Sequence, residues 1–250
     1  VIPAFTGTGA GFDVSPFDLD FLALKNLRFG IAYLVNEADA VSSDANNVMA
    51  QGLFGSSTRF RVPLQLAWQS SNQKWLFSAN YAYERGNNSM GSVGTSLALT
   101  PFMYPSLNES SQFGFTLAHQ LTNNLSINAA YGRGFVRARY NSSVLGVKMT
   151  STGDQAELSS WQLAAHFNNV FVKGNSAGIA VGAVPALIRN SSCWSTDGAS
   201  PIAVETWYQY QISDNISITP GVFYISGVAN SDGIGAGSSW GGVIKTQFNF

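Results

Sequence analysis

The chain has 250 residues, a formal net charge of −1 and only 11% charged residues. A soluble domain usually carries about a quarter, and a near-neutral balance without a basic cluster argues against nucleic acid as a partner. No apolar run reaches the roughly 18 residues that a spanning helix needs, although the chain holds 17 Phe, 9 Tyr and 6 Trp.

Segments of alternating apolar and polar residues recur along the chain in pairs joined by short polar turns. A half-buried strand alternates in this way, and turns rich in Asn, Asp and Ser join hairpins. The predicted strands are 16–24, 27–35, 58–69, 74–84, 112–120, 125–135, 158–166, 176–187, 202–211, 216–226 and 239–250. Residues 1–12 are either a twelfth, weakly patterned strand or the entry to a barrel that lacks upstream strands.

The connections between these hairpins are long and rich in Gly, Ser, Asn and Asp. Short turns that alternate with long loops are typical of outer-membrane barrels, where the short turns lie on the periplasmic side. The sequence therefore predicts one all-β domain over residues 1–250, a transmembrane antiparallel β-barrel with 11–12 strands visible. The longest loop, 85–111, contains an apolar stretch at 97–105. It is expected either to fold into the pore or to cap a neighbouring subunit.

The two faces of each predicted strand differ in chemistry. In residues 58–69 the apolar face carries Phe60, Leu64 and Trp68, whereas the opposite face carries Arg59 and Arg61. A charge facing lipid at mid-depth costs about 2–4 kcal/mol for Arg or Lys, so charges are expected to point inward. The predicted pore-lining residues are Asp18, Asp20, Arg28, Arg59, Arg61, Lys74, Glu84, Glu205 and Lys245.

Charges of both signs on the inner face fit a water-filled lumen, and they also fit a lumen packed with salt bridges. Arg59 and Arg61 point the same way because they lie two residues apart. Two cations in a narrow passage raise the local anion concentration; the alternative is that they pair with carboxylates and hold the wall in shape. Arg133 is an exception to the inward rule, because it falls on the outward register near a strand end.

The sequence gives no constellation for catalysis or for a cofactor. His119 and His166 have no partner at metal-ligand spacing, and no Ser/His/Asp set lies on a nucleophile elbow. The single cysteine, Cys193, excludes an internal disulfide and a multi-cysteine metal site. Neither an enzyme nor a metal site is therefore predicted.

The last predicted strand has aromatic residues at both ends, Trp240 and Phe250, as suits a strand with rings at two membrane interfaces. Its terminal Phe250 resembles the C-terminal signature of bacterial outer-membrane barrels, where it acts as the membrane-insertion signal. Residues 205–222 (ETWYQYQISDNISITPGV) and 243–250 (VIKTQFNF) resemble the end of the cyanobacterial outer-membrane porins. The stretches 52–55 and 169–182 agree with that family in order and spacing. These proteins belong with the carbohydrate-selective porins and are often labelled iron-uptake porins.

This resemblance implies a bacterial outer-membrane location, a barrel of about 16 strands, a homotrimer, and passive diffusion of small hydrophilic solutes and inorganic ions. It also implies that upstream strands and an N-terminal peptidoglycan-binding domain are missing here. Two alternatives stay open: a structural barrel that ties the outer membrane to peptidoglycan with little transport, and a soluble all-β binding module. Small inward residues such as Gly114, Gly132 and Gly221 favour a channel over a plugged barrel.

Overall fold

The computed structural model describes residues 7–19, 24–36, 58–86, 94–102, 108–192, 196–198, 200–227 and 237–248. Eleven strands form one antiparallel sheet in which each strand pairs with the next along the chain, except that β7 and β8 form a separate hairpin. The strands are β1 (Gly7–Leu19), β2 (Leu24–Asn36), β3 (Phe60–Gln69), β4 (Trp75–Arg85), β5 (Asn108–Thr122), β6 (Leu125–Ala138), β7 (Ser142–Val144), β8 (Val147–Thr150), β9 (Gln155–Asn168), β10 (Ser176–Asn190), β11 (Ile202–Ser213), β12 (Ile216–Ile225) and β13 (Ser239–Phe248). One short helix, α1 (Ser96–Leu99), lies in the connection between β4 and β5.

The all-β prediction is confirmed, and from β2 onward the strands of the large sheet lie within a few residues of their predicted bounds. The first predicted strand, 16–24, is wrong: the structure has one strand from Gly7 to Leu19 that absorbs part of the twelfth-strand candidate. Its register against β2 shifts between Val14 and Phe17. Pro16 lies in this irregularity, where its missing N–H interrupts no regular ladder. The hairpin β7–β8 was not predicted; it turns at Leu145 and Gly146, both with positive φ.

The pairing register sorts the side chains of the sheet onto two faces, because directly opposite residues point to the same side. One row contains Arg61, Glu84, Ser110, Val136 and Ala156. We call this side, which is mostly small and polar, the polar face. The other side is the apolar face, with rows such as Leu66, Ala79, Phe115, Tyr131 and Trp161.

Large hydrophobic side chains stay exposed along the apolar face. Phe115 and Leu117 are each 45% exposed, Leu163 is 52% and Ile179 is 49%. A water-soluble monomer rarely exposes a contiguous apolar surface of this extent, so this face is built to contact lipid or another apolar partner. Among the described residues, no helix is long and apolar enough to cross a membrane.

Adjacent positions on β5 give a direct test of the two faces. Leu117→Arg places a cation on the apolar face in the middle of the sheet, and we expect it to destabilise the barrel in lipid by about 2–4 kcal/mol. Thr116→Arg on the polar face is the matched control and should leave stability nearly unchanged. Urea unfolding of the complete protein in vesicles, followed by tryptophan fluorescence, measures both. Equal losses in the two variants would show that the face assignment is wrong.

Candidate functional site

The connection between β4 and β5 folds back over the polar face. Its described part, residues 94–102, is called the inserted segment. Ala98 and Phe102 are 0% and 1% exposed, and they pack in one cluster with Val136, Leu158 and Leu187. These three wall residues lie on the polar-face register of β6, β9 and β10. Of the two expectations for this loop, the structure therefore favours insertion over the polar face.

Hydrogen bonds to one carboxylate fix the start of the inserted segment. Asp197 Oδ2 accepts from the Thr95 hydroxyl and from the Leu187 backbone N–H, both at 2.6 Å. The Asp197 N–H donates to the Leu187 carbonyl at 2.9 Å, and the Thr95 N–H donates to the Pro185 carbonyl at 3.0 Å. Thr95 also caps α1 by accepting from the Ala98 N–H at 3.0 Å. The start of the segment is thus attached to β10 and to the connection that follows it.

A second hydrogen bond holds the other end of the segment. Asn190 Nδ2 donates to the Pro101 carbonyl at 3.0 Å. Because Asn190 is the last residue of β10, both ends of the segment are held by that strand and the connection after it. The segment therefore crosses from the β4–β5 hairpin over β6 and β9, and it covers part of the polar face at the end where the long connections leave.

Five of the predicted pore-lining residues fall on the polar face by register, and they divide by accessibility. Arg28, Glu205 and Lys245 are exposed, whereas Arg61 is 1% and Glu84 is 0% exposed. Arg61 lies directly opposite Glu84 in the β3–β4 register. Burial of both side chains opposite one another favours the alternative in which Arg61 pairs with a carboxylate and holds the wall in shape. The pore-lining role of these two residues stays a prediction.

The remaining predicted pore-lining residues lie next to strand ends or outside the part of the chain that the structure describes. Lys74 is exposed in the turn before β4, and Arg59 packs beside Gly86, where an added Cβ would come within 2.1 Å of its Cγ. The side chain of Asp18 and the whole of Asp20 and Phe250 lie outside the described residues. The structure thus does not gather all nine predicted residues into one site.

Sequence reasoning missed an aromatic side chain on the polar face, Trp207. Its indole lies against Gly178, where an added Cβ would come within 2.5 Å of the ring, and the His166 ring is 5.3 Å away between centroids. Glu205 and Gln209 lie on the same face of β11, one on each side along the strand. Alternation along the strand could have predicted this position, because Trp207 lies two residues from Glu205 and therefore on the same, inward face.

Sequence reasoning also missed an acidic residue, Asp13. It lies opposite Gly30 on the polar face and is exposed. Asp13, Arg28 and Gln65 line a shallow hollow on that face near the short-turn end. Charges of both signs therefore meet at one place on the polar face.

The two histidines take different positions. His119 lies on the apolar face near a turn, stacked on Trp75 with ring centroids 3.7 Å apart, and its Nδ1 is 3.1 Å from the Lys74 carbonyl. His166 lies on the polar face beside Trp207. Within the described ranges no three His, Cys, Asp or Glu side chains come together as metal ligands would.

Comparison with known proteins gives a family and several relatives. The sequence model of the carbohydrate-selective porin, OprB family matches residues 12–250. An uncharacterised protein of Nostoc sp. is 29% identical over 98% of this chain and 40% of its own length. One of Synechocystis sp. is 26% identical over 98% of this chain and 43% of its own length. The chain thus spans about two fifths of these curated relatives. The crystal structure of the Pseudomonas putida toluene transporter TodX is similar at 13% identity and a TM-score of 0.41, covering 87% of this chain and 68% of the other.

The attachment of the inserted segment through Asp197 can be tested by hydrogen exchange. Asp197→Asn removes the charge from an acceptor of two short hydrogen bonds, each worth about 1.5–3 kcal/mol when charged. We expect amide exchange in residues 94–102 to become about 10- to 100-fold faster, as local opening becomes easier. Mass spectrometry of peptides from the complete protein measures this change.

Asp154→Asn is the matched control for that experiment. Asp154 also accepts a backbone hydrogen bond, from the Ser151 N–H at 2.7 Å, but it lies in a different loop. It should leave exchange in residues 94–102 unchanged. If Asp197→Asn behaves like this control, the segment is held by apolar packing alone.

Proposed function

Because the chain belongs to the OprB family of carbohydrate-selective porins and lies in the bacterial outer membrane, we propose that the complete protein is a channel for passive diffusion of small hydrophilic solutes and inorganic ions. The polar face is the observation that carries this proposal. It presents small residues, among them Gly114, Gly132 and Ala164, together with exposed charges such as Glu205 and Lys245. Small, solvated side chains leave room for water, whereas a plugged barrel needs large or fully paired ones.

The inserted segment supplies the narrow point of the proposed channel. Its apolar side is buried against the wall through Phe102 and Ala98, so its remaining surface is turned toward the passage. A loop that is fixed at both ends narrows a channel without closing it, and its position along the axis sets where solutes are sorted. The segment lies at the long-loop end, which faces the cell exterior in bacterial outer-membrane barrels.

Trp207 suits a carbohydrate among the proposed solutes. The C–H groups of a sugar ring carry partial positive charge and pack on the negative face of an aromatic ring. Glu205 and Gln209 are carboxylate and amide neighbours on the same face, able to accept or donate hydrogen bonds to sugar hydroxyls. This combination of one ring and flanking polar groups is what a weak sugar subsite needs. The homotrimer and the link to peptidoglycan that the family resemblance implied stay predictions.

Single-channel recording of the complete protein in planar bilayers tests the channel and the roles of its charges together. We expect stepwise conductance, and a shift of the reversal potential toward cation preference in Arg28→Gln, because Arg28 is an exposed lumen cation. Arg61→Gln should leave selectivity near the wild-type value but destabilise the protein by about 3–5 kcal/mol, since it removes the cation opposite buried Glu84.

The two variants are controls for one another, because each removes one guanidinium from the same face. No conductance steps in the wild-type protein would contradict the channel and leave the structural barrel that anchors the outer membrane. A selectivity shift in Arg61→Gln as large as in Arg28→Gln would show that the buried pair faces the passage after all.

Block of the ion current by added maltose oligosaccharides tests the sugar subsite. Trp207→Ala should weaken block about 3- to 10-fold, in keeping with the energy of one aromatic contact. Trp161→Ala is the matched control, since Trp161 lies on the apolar face and is 38% exposed there. Unchanged block in Trp207→Ala would place sugar binding elsewhere or nowhere, without affecting the conductance result.

A further inference from the structure

A group of charged residues lies on the apolar face, where a lipid-facing surface should carry none. In register, Arg85 lies opposite Glu109, Glu109 lies opposite Arg137, and Glu157 lies opposite Arg189. All occupy the strand ends from which the long connections leave. We call the group the rim cluster; its members are Arg85, Glu109, Arg133, Arg137, Arg139, Glu157 and Arg189.

Each carboxylate of the rim cluster is surrounded by guanidinium groups. Glu157 forms a salt bridge with Arg133, and its Oε1 is 3.6 Å from Arg189 Nη1. Arg137 Nη1 and Arg139 Nε are each 3.9 Å from Glu109 oxygens. The two carboxylates therefore hold several arginines in place on neighbouring strands, as an ordered array rather than as separate mobile side chains.

A second set of contacts adds aromatic groups to this array. The Tyr83 hydroxyl donates to Glu109 Oε2 at 3.1 Å. The Arg133 guanidinium carbon lies 5.8 Å from the centre of the Phe135 ring. Both aromatic side chains lie on the apolar-face register. Aromatic girdles mark the interfaces of outer-membrane barrels, so the rim cluster lies at an interface level.

The rim cluster has more positive than negative charge, and the excess is accessible. It contains five arginines and two glutamates. The side chains of Arg189, Arg137 and Arg139 are 76%, 60% and 42% exposed, compared with 26% for Glu109 and 21% for Glu157. The outermost groups are thus cations whose N–H forks are only partly used, which is the arrangement that binds oxyanions.

The described strands of a second copy of the chain do not supply the missing negative charge. On the described strands, the apolar face carries no Asp or Glu outside the rim cluster. Packing one copy against another through these faces would bring the excess cations against apolar or cationic surface. An anionic lipid, by contrast, presents its charged headgroup at the level of an interface and its acyl chains along the apolar rows below.

We propose that the rim cluster binds the anionic headgroup of a lipid in the outer leaflet. The long connections of outer-membrane barrels lie on the extracellular side, which puts the rim cluster at the level of that leaflet. A phosphate or sulfonate on the headgroup bridges the exposed forks of Arg137 and Arg189, which lie on β6 and β10, on either side of β9. The acyl chains lie over Phe113, Tyr131 and the rows beneath them.

The experiment measures lipid retention by the complete protein. The protein is placed in nanodiscs of phosphatidylcholine containing a minor share of phosphatidylglycerol, then released and analysed by native mass spectrometry. Wild type should retain phosphatidylglycerol in preference to phosphatidylcholine. Arg137→Gln with Arg189→Gln should retain about tenfold less, whereas Lys replacements at the same two positions should retain most of it.

Lys173→Gln is the control for loss of a positive charge away from the rim cluster, because Lys173 is exposed in the short connection at the opposite end of the sheet. It should retain lipid as wild type does. If the double variant does not fold, as judged by circular dichroism, Arg189→Gln alone replaces it, since Arg189 is more exposed than Arg137 or Arg139. Conductance in pure phosphatidylcholine should not change in either variant, so the result is independent of the proposed channel.

Three outcomes would overturn the proposal. The first is a lack of preference: wild type retains the two lipids equally, or wild type and the double variant retain phosphatidylglycerol equally. The second is displacement of phosphatidylglycerol by inorganic phosphate at millimolar concentration, which would make the rim cluster a simple anion site. The third is a change in the number of subunits with no change in retained lipid, which would make it a contact between copies of the chain.

Discussion

The structure depends on one constraint: a backbone that crosses lipid must satisfy its N–H and C=O groups within the protein. Along the described sheet this is met by pairing between neighbouring strands from β1 to β13, apart from the outer edges of those two strands, and the β7–β8 hairpin is set apart. Pairing in chain order forces every side chain onto one of two faces. The polar face and the apolar face are therefore consequences of strand pairing. Phe115 and Leu117 are exposed on the apolar face, and Glu205 is exposed on the polar face, for this same reason.

Charge on these faces is sorted by depth as well as by side. On the polar face, Arg28 and Lys245 stay exposed far from the long connections, whereas Arg61 and Glu84 are buried near them. On the apolar face, Glu109 and Glu157 lie near the strand ends, where a lipid-facing charge costs little compared with mid-depth. Arg133 lies further along β6 and forms a salt bridge with Glu157. The environment of an Arg, Lys or Glu side chain, whether solvated, buried or at the lipid-facing surface, thus depends on its face and on its distance from the strand end.

The positions and faces of the strands could be predicted from alternation alone, because that pattern is local and repeats every two residues. The register shift around Pro16 could not, since the sequence of residues 7–19 shows two short patterns where the chain forms one strand. The burial of Arg61 and Glu84 could not be predicted either. Alternation predicts which face of the sheet a side chain lies on, but it does not predict whether other residues bury that side chain. The role of Asp197 was missed for a related reason: it lies 102 residues from Thr95, and no short-range rule links an aspartate to a hydroxyl at that separation.

That separation affects the order in which the molecule is built. The inserted segment belongs to the first half of the described sheet, but the groups that hold it, Pro185, Leu187 and Asp197, belong to the second. Closing a loop between residues so far apart in sequence costs more entropy than pairing neighbouring strands, so these contacts are expected to form after the intervening hairpins have paired. We therefore expect β6, β9 and β10 to pair with one another before the segment docks. A fault in the β10–β11 connection is then expected to leave the strands paired but the inserted segment undocked.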